Sequence, residues 1–323
     1  MLNALFLRLV CLTMTLVLLP FAGQSKGEPY DVKEPDACAL NFSVLSDCHM
    51  EGNKFIRYQM LNQAFQDVER NQSGHDAILF LGDSTMNGQH IENMLFHGLA
   101  ALRLRNENVL PATGNHDTGN GEGDFEKIEK RWYTYIEAFF GKKLEHPYYC
   151  EVIDGFYFIA LGAETQTVYQ MTMSDAQFEF LADSLAKAAE SGKPAFVFMH
   201  FPVHCQTDLD GNYTGQLKAM LAEYSRAHDL FVLVGHYHQP MSLGRTFQNG
   251  GGFPEIYLPC MSQLTDTEPY QPHEDGGVGL DVEVYRNEVV LRGRDYYRSE
   301  WKTDPASGAL CEVAYQLKNP IAA

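Results

Sequence analysis

The sequence predicts an α/β protein built as one large domain. Over the first two-thirds of the chain, short β-branched-rich runs alternate with helical patterns. Those runs are almost continuously apolar, as strands are when a parallel sheet is buried on both faces. In the last third the strand runs lose their intervening helices, which adds antiparallel strands. At 323 residues the chain is long enough for such a domain, and neither repeats nor a long low-complexity linker divides it.

The elements follow in order. Arg8 precedes the apolar run from Leu9 to Phe21, and Pro20 and 22-AGQS-25 follow; this is the layout of a secretory signal peptide. The run is shorter than the roughly 20 residues of a spanning helix. Residues 1–26 are therefore set apart as a signal, with an uncleaved N-terminal anchor as the alternative, and secretion or a cell-envelope location is expected. The folded domain is placed at 27–300 and a C-terminal tail at 301–323. The first strand run is 42-FSVLS-46. Leu61, Ala64, Phe65 and Val68 then keep the i, i+3, i+4, i+7 spacing of a helix face. The run 77-AILFL-81, a helical stretch near 89–104 and 108-NVLPA-112 come next, then an insertion over 118–146. Strands at 148–152 and 156–161 flank the turn 153-IDG-155. Ser174 and Gln177 predict a capping box opening a helix with Phe178, Leu181, Ala182 and Leu185 on one face. The run 195-AFVFM-199, a helix with Leu217, Met220, Leu221 and Tyr224, and 230-LFVLV-234 complete the alternation. Runs at 255–258, 278–285 and 288–292 end the pattern, the last two as a hairpin turning at Arg286 and Asn287.

Charge narrows the partners. Against 24 Lys and Arg stand 42 Asp and Glu, a net −18. Such a chain repels polyanions at long range, which excludes long nucleic acid; a small anionic substrate is compatible if bound cations offset the field locally. Six cysteines follow the signal, and the even number permits disulfides in an exported chain without fixing any pairing.

The chemistry collects where the apolar runs end. Asp47, Cys48 and His49 follow the first run, Gly82 and Asp83 the second, and Gly114, Asn115, His116 and Asp117 the third. His200 follows 195–199, and Gly235, His236, Tyr237 and His238 follow 230–234. In open α/β sheets ligands bind beyond the carboxyl ends of the strands, so these side chains can meet. If the chain stays extended, Asp47 and His49 share one side, as do His236 and His238, while Cys48 and Tyr237 point away; Cys48 is read as a packing residue. Imidazole and carboxylate donors without thiolate suit Zn, Mn or Fe. A carboxylate can bridge two cations, and two metals roughly 3.5–4 Å apart clamp an in-line displacement at phosphorus.

The ordered set 47-DCH-49, 82-GD-83, 114-GNHD-117, His200 and 235-GHYH-238 resembles the calcineurin-like metallophosphoesterase superfamily, most of all its bacterial cyclic-nucleotide-phosphodiesterase-like branch. The resemblance implies a sandwich of two mixed β-sheets flanked by α-helices, in four αββα layers. It implies one metal held by Asp47, His49, Asp83 and His238, and a second held by Asp83, Asn115, His200 and His236. A metal-bridging hydroxide would attack phosphorus, with His116 as general acid at the leaving group or as a donor to the phosphoryl oxygens. The expected activity is hydrolysis of small phosphodiesters or phosphomonoesters, nucleotide-like ones included, with two divalent ions (Mn, Fe or Zn) as cofactors. The opposing reading is a catalytically inactive surface or binding protein on the same fold.

Two departures bear on substrate. Where many relatives carry Asp or Asn, 82-GDSTM-86 has Met86, so the group that orients the motif histidine is missing, and neither protein phosphatase chemistry nor an Fe(III)–tyrosinate centre is favoured. The His-His-Pro-Pro common in cyclic-nucleotide enzymes reads 200-HFPVH-204 here, which weighs against cyclic nucleotides. Asp117 is expected to orient a neighbour, and His204 to reach a substrate phosphate. The aromatic segment 131–140 is read as helix packing, 208-DLDGN-212 as a turn, and the histidines outside the motifs as packing or surface residues.

Overall fold

The computed structural model describes residues 4–104, 108–267 and 269–321. In chain order the first half carries α1 (Ala4–Leu18), β1 (Leu40–Leu45), α2 (Phe55–Val68), β2 (Ala77–Phe80), α3 (His90–Arg103), β3 (Val109–Pro111), α4 (Phe125–Phe140), β4 (Tyr149–Ile153) and β5 (Phe156–Ala160). Then come β6 (Met171–Thr172), α5 (Asp175–Ser191), β7 (Ala195–Met199), β8 (Gln206–Thr207), α6 (Gln216–Ser225), β9 (Leu230–Val234), β10 (Phe247–Asn249) and β11 (Pro254–Tyr257). The chain ends with β12 (Val278–Val284), β13 (Glu288–Asp295), β14 (Glu300–Trp301) and β15 (Glu312–Gln316).

Two mixed sheets result. One runs β14-β13-β12-β1-β2-β3, with β15 also on β13; the other runs β10-β11-β9-β7-β5-β4. Within them β1, β2 and β3 are parallel neighbours, as are β5, β7, β9 and β11. The inner faces meet in one core that joins Phe42, Val44, Leu79 and Leu280 of the first sheet to Phe158, Phe196, Phe198 and Leu233 of the second. Phe42 stands edge-on to Phe158 at 5.1 Å and to Phe196 at 4.8 Å. Each such ring, fully buried, contributes roughly 1.5–3 kcal/mol relative to exposure. The outer face of the first sheet buries Ile78 and Phe80 against Leu61 and Phe65 of α2 and Phe96 and Leu99 of α3. The second sheet's outer face buries Val197 and Val232 against Leu181 of α5 and Leu217 and Leu221 of α6. Helix, sheet, sheet and helix are thus the four layers expected.

Three local features differ from the sequence reading, and a fourth agrees with it. Residues 301–323, set apart as a tail, contain β15, which pairs antiparallel with β13 from Glu288↔Gln316 to Arg292↔Glu312, and Leu317 and Ile321 join the inter-sheet core. None of the β15 residues is fully buried, and its pattern is weak because an edge strand needs only one partly apolar face. The Ser174 hydroxyl caps α5 by accepting from Gln177 N, but Glu164, not Gln177, accepts from Ser174 N, at 2.6 Å. Gln177 instead holds Gly162 and Glu164. The full capping box lies at Gln89 and Glu92, opening α3. Within the insertion, α4 buries Trp132, Tyr135, Ile136 and Ala138, the packing role expected of that aromatic segment.

Helix α1 lays Leu7 and Cys11 against Tyr135 and Ala138 of α4, leaving Leu5, Leu9, Leu16 and Val17 exposed. Among the described residues no helix is long and apolar enough to cross a membrane. All seven cysteines are free thiols.

Candidate metal centre

The loops after β1, β2, β3, β7 and β9 meet at one end of the sandwich, and every residue proposed as a ligand lies on them. The extended-chain argument for their orientation does not hold. Asp47, His49, Asp83, His236 and His238 all have positive φ, between 42° and 70°. The chain turns at each of these positions instead of alternating, and the turns bring the side chains together. Left-handed backbone at a non-glycine residue costs on the order of 1 kcal/mol or more and persists only where its surroundings impose it. Five of the eight such residues described belong to this one cluster.

Two motif glycines are required by contact between loops. A Cβ on Gly114 would lie 2.5 Å from Asp83 N, and one on Gly235 would lie 2.1 Å from Ser46 Oγ and 2.7 Å from Asp47 Oδ2. Each glycine lets its own loop close onto the carboxylate loop of another strand.

The donor atoms form two adjoining groups. In one, His238 Nε2 is 3.0 Å from Asp47 Oδ1 and 3.0 Å from His49 Nε2, and His49 Nε2 is 3.7 Å from Asp47 Oδ1 and 3.9 Å from Asp83 Oδ2. In the other, His200 Nε2 is 3.1 Å from Asp83 Oδ2, 3.1 Å from Asn115 Oδ1 and 3.2 Å from His236 Nδ1. Asp83 faces both groups. His200 Nδ1 donates to Leu81 O at 2.9 Å, which leaves Nε2 free as a ligand atom. Asn115 Nδ2 donates to Asn120 Oδ1, which turns its amide oxygen toward His200.

Electrostatics at the cluster favour added positive charge. Burial raises the Asp47 carboxyl, but His238, His200 and His49 outweigh it and hold it well below the ordinary carboxylate range; Asp83 is lowered in the same way, His200 first. Burial lowers His200, yet Asp83 and Asp47 raise it to about 9, and Asp47 likewise raises His238. Burial drives His49 down to about 3 and His236 to about 4. Two buried carboxylates thus draw protons onto two of four convergent imidazoles. Divalent cations meet the same demand, and this hard and borderline N,O donor set fits them.

His116 lies beside the first group, its ring 4.7 Å from that of His49. Met86 does orient it, through the backbone: His116 Nδ1 donates to Met86 O at 2.7 Å. The expectation that Met86 removes the orienter is therefore corrected, since a carbonyl suffices whatever the side chain. His116 N donates to Asp83 Oδ1 at 2.9 Å. Asp117, fully buried, accepts from Ser84 N, Thr85 N, Thr85 Oγ1 and Gly114 N, and so ties the β2 loop to the β3 loop. Burial and the nearby Asp83 raise its carboxyl to about 6. His204 is not among the converging donors; its Nε2 meets Tyr237 Oη at 2.7 Å on the exposed rim. Cys48 is buried in the core behind the loops, as expected.

Three contributors escaped the sequence reading. Arg57 of α2 donates to His49 O at 2.8 Å and contacts Met86 Sδ at 3.4 Å. Cys260 donates to Asp47 O at 3.1 Å, and burial keeps its thiol protonated. Ser46 donates to Asp47 Oδ2 at 2.5 Å. Each lies outside a recognisable motif, and only the fold brings Arg57 and Cys260 near. A cavity of about 440 Å³ opens beside His49, His116 and His238, walled by Arg57, Cys260 and residues 262–266.

Carboxylates, imidazoles and one amide oxygen at the ends of parallel strands are the furniture of a dinuclear metallohydrolase. The chain belongs to the calcineurin-like phosphoesterases, whose family pattern matches residues 40–240. It is accordingly a metal-dependent phosphoester hydrolase of a dinuclear family. Its fold is similar to that of a dimetal phosphatase from Danio rerio, at 14% identity and TM-score 0.57, covering 88% of this chain and 100% of that one. It is also similar to a purple acid phosphatase from yellow lupin (Lupinus luteus), at 13% identity and TM-score 0.53, covering 90% of this chain and 55% of that one. None of the curated proteins compared with the chain matches it in sequence.

Proposed function

We propose that the protein is an exported phosphoesterase acting on small phosphodiesters or phosphomonoesters. The observation that carries this reading is the convergence of seven ligand-competent side chains from five strand ends, with His116 alongside. Asp47, His49, Asp83 and His238 would hold one cation, and Asp83, Asn115, His200 and His236 the other. When bound, two divalent ions supply Lewis-acid polarisation of the phosphoryl oxygens and a water acidic enough to react near neutral pH.

The chain's own groups do the rest. His116, fixed through Nδ1 by the Met86 carbonyl, keeps Nε2 for proton transfer to the leaving oxygen as its bond to phosphorus breaks. Asp117 holds the loops that carry Asp83 and His116 in register. The layout of Arg8 and the apolar run after it supports export. Metal analysis with hydrolysis of bis-p-nitrophenyl phosphate and p-nitrophenyl phosphate tests the reading. The mature protein is expected to bind divalent metal and turn over at least one ester; no metal and no turnover would defeat it.

A further inference from the structure

One donor at the centre lies outside the set of carboxylates, imidazoles and amide. Strand β11 runs parallel to β9, so it finishes at the same end of the sandwich as His236 and His238. Leu258 N donates to Val234 O at 2.7 Å, and Met261 N donates to Ser46 O at 3.0 Å. These two bonds pin the short segment between them to the ends of β9 and β1, and Cys260 lies in that segment. It is 2% exposed, its Sγ donates to Asp47 O at 3.1 Å, and it lines the cavity beside His49 and His238. The Cys260 sulfur and one ring nitrogen each from His49 and His238 all lie within 4.8 Å of one another. Among the described residues, none of the other thiols joins such a group of donors.

Nitrogen and sulfur bind zinc at roughly 2.0–2.1 and 2.3 Å, so donors sharing one ion stand at most about 4.4 Å apart. The three atoms meet that limit with a closing of no more than about half an ångström. A packing role would explain why the thiol is buried against Asp47 O. It would not require two ligand imidazoles within reach of the same sulfur.

Resting on the two-cation reading, we propose that Cys260 is a further ligand of the cation held by Asp47, His49, Asp83 and His238, and that it biases this position toward zinc, cobalt(II) or iron(II) over manganese. In the binding step the sulfur–metal bond forms, the S–H bond breaks and the proton leaves to solvent; no electron is transferred. Thiolate is a soft donor, which selects zinc-like ions, whereas carboxylate and carbonyl oxygen suit manganese. The donor group of Asp47, Asp83 and His200 holds no sulfur. The two positions are therefore chemically unequal, and the sulfur belongs to the His238 side.

The test adds cobalt(II) to the whole protein freed of metal. It reads the visible bands of the bound ion together with the near-ultraviolet sulfur-to-cobalt charge-transfer band. The wild type is expected to show both. Cys260→Ser should keep the visible bands and lose the charge-transfer band, while Cys48→Ser should keep both. In competition titrations, Cys260→Ser should weaken zinc binding at one position by about tenfold or more, and manganese binding by less than about threefold. Cys260→Ala gives a second variant should the serine form fail to fold, and the wild-type spectrum needs neither. Cobalt bound by the wild type without a charge-transfer band overturns the proposal alone. So does a band that survives in both Cys260 variants, or an equal loss of zinc and manganese affinity. No cobalt bound at all would sink the metal-centre reading and the proposal with it.

Discussion

The two halves of the donor cluster differ in how they are closed. Around His200 the ring itself is sealed: its side chain is 0% exposed and its Nδ1 is spent on Leu81 O, while Asn115 is held by Asn120 and His236 is half-buried. Around His238 the wall opens: that side chain is 36% exposed and the cavity begins there, although His49 and Asp47 beside it are buried. The contrast teaches a division of labour. The His200 side would hold a cation on the more rigid donor, because His200 cannot reorient without breaking its buried hydrogen bond to Leu81 O. The open half can exchange water for substrate, and it is the half that His116 adjoins.

Asp83 faces both halves, so its loss has the largest expected effect. Asp83→Ala should lower kcat/KM by more than ~10³-fold, beyond the ~10²–10³-fold typical of one lost electrostatic contact; steady-state assays read this directly. The halves themselves are set against each other by His200→Ala and His238→Ala. The first should lose metal that excess metal does not restore. The second should recover bound metal when divalent ion is supplied in excess, since water can enter the vacated position. Equal, fully rescuable losses in a metal titration of both variants would erase the distinction.

His116→Ala should keep its metal and lose about 10²-fold or more in kcat with alkyl esters, in line with general acid catalysis. The loss should shrink for p-nitrophenyl esters, whose leaving group needs little protonation. A drop in metal content instead would make His116 a ligand.

The smallest effect on activity belongs to His97, which lies outside both halves, buried beside Tyr135, Phe139 and Phe140. Burial lowers it from 6.5 to about 4. Its neutral form is favoured in the fold, so the contribution is full above pH 6.5 and fades as pH falls from 6.5 toward 4, when the unfolded chain binds the extra proton. By linkage this is on the order of 3 kcal/mol. His97→Phe should flatten the acid limb of stability in urea melts between pH 7 and 4 while sparing turnover at pH 7. An unchanged acid limb would show that other groups set it.

Much of this was legible beforehand, for physical reasons. The strands β7 and β9 are continuous apolar runs with sharp polar ends, so their bounds and the positions of His200 and His236 could be read together. The candidate donor motifs were legible because side chains able to hold a metal come in few residue types. What could not be read was held by backbone or by distance. The Met86 carbonyl that orients His116 has no side-chain signature. Arg57 and Cys260 reach the centre only once α2 and the segment after β11 are folded onto it. The positive φ at Asp47 and His238 departs from extended geometry, because the chain turns at the strand ends and brings these side chains toward those of other strands. β15 was missed because an edge strand with one half-buried face lacks a strong pattern.

Asp83 would join the two cation sites. Metal content per chain, measured by elemental analysis after reconstitution and dialysis, tests it most directly. Two equivalents of divalent metal are expected in the wild type and fewer than one in Asp83→Ala. Two equivalents retained in that variant would contradict it.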